Sequence, residues 1–109
     1  MKFGMVFKID VYDFDKDKAE EIITRPCDFI KVQRWKSALD VVVEPEIKEA
    51  YVNYATLCFA AKRMGRAKDF GLKESEDLTI EELEKLPERF SIFVNFAGDD
   101  DLPIQAQTK

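Results

Sequence analysis

The chain has 109 residues, 46% hydrophobic and 12% aromatic, nine of them Phe. That is enough apolar material for one packed core and sets the chain apart from disordered sequences. Against 17 Lys and Arg stand 22 Asp and Glu, a formal charge of -5, so a nucleic-acid backbone is repelled at long range and no nucleic-acid partner is expected.

From the N-terminus, Phe3, Met5, Phe7, Ile9 and Val11 alternate with Lys2, Gly4, Lys8 and Asp10. This period of two predicts a strand with one buried and one wet face. The segment MKFGMVFKID lacks the cationic start, apolar run and cleavage site of a signal peptide, and with only two Cys the chain is expected in the cytoplasm. Asp13 to Asp17 reads as a charged turn, and Glu21 to Thr24 as a shorter strand returning to form an N-terminal hairpin. Pro26 favours a helix start, and Phe29, Val32, Trp35 and Leu39 then recur along one helix side. The run Val41 to Val43 closes or follows that helix.

Pro45 suits the first turn of a second, longer helix whose apolar stripe is Ile47, Tyr51, Tyr54, Ala55, Cys58, Ala61 and Met64, with Gly65 as its left-handed stop. Val52, Leu57 and Phe59 lie on the other side, which implies contact on more than one face, with the N-terminal elements or with a partner. The apolar stretch Tyr51 to Ala61 is too short to cross a bilayer, so no membrane partner is expected. After a loop over 67–77, Thr79 and Glu82 have capping-box spacing and Leu78 and Leu83 staple spacing, so a short helix begins at Ile80 and ends at Pro87. Phe90, Ile92, Val94 and Phe96 then alternate with Ser91 and Asn95 in a final strand. Phe93 breaks that apolar phase and points to whatever covers the other side, a helix or a partner. The expected fold class is α+β: an N-terminal β-hairpin packed with a long central helix and two shorter helices, then a C-terminal strand. Residues 1–96 read as one globular domain and 97–109 as an acidic, disordered tail.

Little in this sequence carries chemistry. It has no His, which removes the commonest general base, the usual partner of a Ser or Cys nucleophile, and the commonest metal ligand. Cys27 and Cys58 are read as buried packing residues on helix faces. Asp13, Asp15 and Asp17 open like a calcium loop, but Lys18 and Thr24 stand where that loop needs Gly and Glu, so a solvated turn is expected. Asp99, Asp100 and Asp101 are read the same way. Lys62, Arg63, Arg66 and Lys68 fit the negative end of a helix better than an anion site, and Trp35, Tyr51 and Tyr54 fit a core better than a ligand box. No catalytic residue, cofactor or metal is expected, and the chain is read as a non-enzyme.

Three segments, ITRPCDFIKVQRW, YVNYATLCFAAKRMGR and DLTIEELEKLPERFSIFV, following an alternating N-terminal strand, give the chain a recognisable order of features. In this layout it resembles the small tail assembly chaperones of long-tailed phages and prophages of Gram-positive bacteria. The resemblance implies a protein of the bacterial host cytoplasm that binds the tape measure protein, keeping it soluble until major tail protein subunits polymerise around it, with homo-oligomers compatible with the role. It also implies a longer, slippage-made form extending from GDDDLPIQAQTK. Val52 and Phe59 on the second face of the long helix, together with Phe93, are the expected partner contacts. The alternatives are an acidic phage inhibitor that mimics phosphates and a head-tail joining structural protein.

Overall fold

The computed structural model describes residues 6–39 and 44–96. Strand β1, Phe7–Asp13, and strand β2, Lys18–Ile23, form the expected hairpin, in register from Asp13 opposite Lys18 to Lys8 opposite Ile23. The turn between them is shaped by Asp13, whose carboxylate accepts the N–H groups of Asp15 and Lys16, and by Asp17, whose φ of 53° is a left-handed value that Asp tolerates. The return strand starts at Lys18 rather than Glu21, because backbone pairing with β1 extends through residues whose side chains are solvated and so show no apolar alternation. Strand β3, Phe90–Phe96, pairs antiparallel with the other side of β1, from Phe7 opposite Phe96 to Asp13 opposite Phe90. The sheet order is therefore β2-β1-β3, with the N-terminal strand in the centre.

Three helices complete an α+β architecture: α1 (Pro26–Leu39), α2 (Pro45–Arg63) and α3 (Ile80–Lys85). Along α1, Val32 is buried and Phe29 and Trp35 are half-buried, as the spacing predicts. Phe29 stacks on Phe7 at 5.9 Å between ring centroids, and the Trp35 indole N–H donates to the Leu78 carbonyl at 3.0 Å, tying α1 to the segment before α3.

In α2 the seven residues from Ala55 to Ala61 are all buried. Leu57 and Phe59 join the same core as Ile9, Val11 and Ile22, so the helix is enclosed on several sides by the molecule itself. Its ends differ: Ile47 and Met64, expected on the buried stripe, are exposed. Gly65 stops the helix at φ 73°, with its N–H on the Lys62 carbonyl and the Arg66 N–H on the Ala61 carbonyl, the paired bonds of a Schellman ending. The segment after it, expected as a loop, folds into a 3₁₀ turn, Ala67–Phe70, closed in the same way by Gly71 at φ 70°. Its Ala67 and Phe70, with Leu72, belong to the core.

The capping box of α3 is complete: the Thr79 hydroxyl accepts the Glu82 N–H, and the Glu82 carboxylate accepts the Thr79 N–H. Leu78 and Leu83 are both buried beside it. Pro87 follows within a 3₁₀ turn, Leu86–Glu88, that leads into β3. Phe3, Met5, the Val41 to Val43 run and the 97–109 tail with Asp99 to Asp101 lie outside the described residues.

Candidate protein-binding surface

Alternation along three paired strands sorts the side chains onto two faces. Ile9, Val11, Ile22, Ile92, Val94 and Phe90 face α2 and the core. The other face carries Lys8, Asp10 and Tyr12 from β1, Ala19, Glu21 and Ile23 from β2, and Ser91, Phe93 and Asn95 from β3. No helix among the described residues covers it. Phe93 stands there 65% exposed, directly opposite Asp10 and diagonal to Tyr12. Tyr12 is itself edge-on to the exposed Phe14 at 5.2 Å, so an aromatic row of Phe14, Tyr12 and Phe93 crosses a face that is otherwise polar apart from Ala19 and Ile23 on β2. Tyr12 also donates its hydroxyl to Asp17, a bond that raises its pKa, followed by the effects of desolvation and the Asp13 charge.

The three expected contact residues do not form one site. Phe93 lies on the uncovered sheet face, whereas Val52 is half-buried on the opposite side of the sheet, lining a groove of about 70 Å³ with Phe7, Phe29, Val32 and Val94. Phe59, 6% exposed, is a correction: the core takes it up and leaves a partner nothing to touch. Sequence reading missed Tyr12 and Phe14, although both continue the even-numbered positions of Lys8 and Asp10, the phase assigned to the wet face.

A larger cleft of about 230 Å³ lies where the hairpin meets the 3₁₀ turn after α2, floored by Val11, Phe70 and Phe90 and rimmed by Asp13, Lys16, Lys18, Glu20, Arg66 and Asp69. Its charges largely satisfy one another. Arg66 bonds both oxygens of Glu20 and also Asp69, and holds both carboxylates below their ordinary pKa. Arg89 bonds both oxygens of Asp13 and lowers its pKa to about 2.

The basic end of α2 is consumed in the same way. The Arg63 guanidinium bonds both oxygens of Asp28, a fully buried carboxylate in the first turn of α1 that also accepts the Arg25 N–H at 2.9 Å. Lys62 reaches the carbonyls of Ser75 and Asp77 and, at 3.5 Å, the buried Glu82. Burial acts to raise the pKa of Glu82, but the N–H groups of Thr79 and Lys73 and the charge of Lys62 outweigh it and lower the pKa. These cations fasten elements together, and only Lys68, paired with Glu74 in solvent, stays outside the core ties. The aromatic trio is likewise dispersed: the Tyr54 hydroxyl donates to the Phe90 carbonyl at 2.8 Å and that of Tyr51 to Glu84 at 2.5 Å.

Cys58 is buried, and desolvation pushes its thiol pKa far up, but Cys27 is exposed, contrary to its expected packing role. It occupies the first turn of α1, where its thiol donates to the Asp28 carboxylate at 3.9 Å. Among the described residues no group of three or more Cys, Asp or Glu could hold a metal ion, and no helix is long and apolar enough to cross a membrane. Searches against protein-family models, curated proteins and solved structures found no match for this chain.

Proposed function

We propose that the chain acts by binding another protein, as a non-catalytic tail assembly chaperone that keeps the tape measure protein soluble in the bacterial cytoplasm until major tail protein encloses it. The observation that carries the binding reading is the uncovered sheet face with Phe93, Tyr12 and Phe14 projecting from a polar surround. An aromatic row ringed by polar groups provides apolar contact while the rim and the net negative charge favour solubility of the complex. The specific client rests on the resemblance in layout.

The phosphate-mimic alternative is disfavoured by the ion pairs: Asp13, Glu20, Asp28, Asp69 and Glu82 all face cations, which breaks up a continuous acidic surface. Co-expression with the tape measure protein of the same genome tests the proposal. The client is expected in the soluble fraction only when this chain is present, and Phe14→Asp lowers its recovery several-fold. A client that precipitates equally with and without the chain disproves the reading.

A further inference from the structure

The two edges of the sheet differ. The bond from the Phe14 N–H to the Arg89 carbonyl sets the hydrogen-bonding phase of β1 with β3: Tyr12 with Ser91, Asp10 with Phe93 and Lys8 with Asn95 are the bonded pairs. The backbone groups of Phe90, Ile92 and Val94 therefore point away from β1. The Phe90 carbonyl is taken by Tyr54, but among the described residues nothing bonds the outward N–H and C=O of Ile92 and Val94. On the other edge, the bond from Thr24 to Phe7 turns the backbone of Ala19, Glu21 and Ile23 outward. There Arg63 reaches the Ile23 carbonyl, and Lys18, Glu20 and Glu21 supply the charges by which natural edge strands resist pairing. Strand β3, FSIFVNF, has no charge at all.

Its sequence is also nearly the same by residue class in either direction about Phe93: Ile92 mirrors Val94, Ser91 mirrors Asn95, and Phe stands at both ends. We propose that β3 is a homodimer interface, in which two copies pair antiparallel about a two-fold axis at Phe93 to form a continuous six-stranded sheet. The phase fits this arrangement. Residues with outward backbone groups must form the hydrogen-bonded pairs, and in this register Ile92 of each copy meets Val94 of the other, giving four backbone bonds. Phe93 then faces its own counterpart in a non-bonded pair, where side chains approach most closely, with Cα atoms about 4.5 Å apart. Each Phe93 shields the other on the outer face, Ile92 meets Val94 on the core face, Ser91 meets Asn95, and no like charges oppose. A register shifted by one residue would set outward backbone groups against inward ones, so the bonding phase excludes it. The interface is isologous and therefore closed at two copies. This inference does not depend on the client proposed above.

Sedimentation equilibrium of the whole chain, alone, tests it. A dimer is expected, and Phe93→Lys, which sets two ammonium groups against each other at an exposed position, raises the dissociation constant roughly 100-fold. The unchanged far-UV circular dichroism of that variant shows the fold intact. The register is read by mild oxidation in a Cys27→Ser background: Phe93→Cys cross-links rapidly to a covalent dimer and Ser91→Cys does not. A chain that stays monomeric at about 100 µM, a dimer indifferent to Phe93→Lys, or equal cross-linking from both positions would overturn the proposal.

Discussion

Asp13 accepts the N–H groups of Asp15 and Lys16 within the hairpin turn and the guanidinium of Arg89 from the segment before β3. The Arg89 bond is the largest influence on its carboxyl, which titrates at about 2, below the usual value of about 3.9. A carboxyl depressed in the folded state adds stability above its unfolded pKa, and that contribution is lost as pH falls through the folded one. The difference in urea midpoint between wild type and Asp13→Asn is therefore expected at pH 7 and should close as pH falls from about 4 to about 2. Gly65 is similarly local in its cause: nothing lies within 4 Å of a Cβ placed there, so the cost of Gly65→Ala is the left-handed φ alone, about 1 kcal/mol in thermal or urea unfolding. The two thiols separate by exposure. In native buffer one equivalent of thiol reagent should react promptly, at Cys27, and Cys58 only on unfolding.

Single elements carry the next set of consequences. The α3 box sits on a six-residue helix that could not persist in isolation, so Thr79→Ala is expected to cost about 1 kcal/mol and to loosen the Leu78 segment against Trp35. Asp28 joins α1 to the end of α2 from a position with no solvent exposure. Its replacement by Ala leaves the Arg63 guanidinium and the Arg25 N–H without that acceptor, a loss of about 3 kcal/mol in chemical unfolding. The box was readable in the sequence because its partners are three residues apart. The Asp28 tie was not, since 35 residues separate its ends and nothing in Cys-Asp-Phe marks a buried carboxylate.

At the scale of the whole molecule, α2 is the element on which the others pack, and Leu57→Ala at its fully buried centre is expected to cost 2–5 kcal/mol by the range for such truncations, measured by urea unfolding. Enclosure of α2 also explains why Phe59 failed as a contact residue and Phe93 remained accessible. Hydrophobicity places a residue against something apolar, but whether that is the chain's own core or another molecule depends on how the elements are arranged. The class α+β, the hairpin, the helix starts at Pro26, Pro45 and Ile80, the Gly65 stop and the last strand all rest on period, capping and backbone conformation, which act over a few residues and so are written in the local order of the chain. The placing of β3 beside β1, the ion pairs that absorb the basic end of α2, the packing of Ala67 to Leu72 and the uncovered aromatic row follow from contacts between distant segments. No local pattern encodes such contacts, because each exists only once the entropy of closing a long loop has been offset by the burial that the complete fold provides.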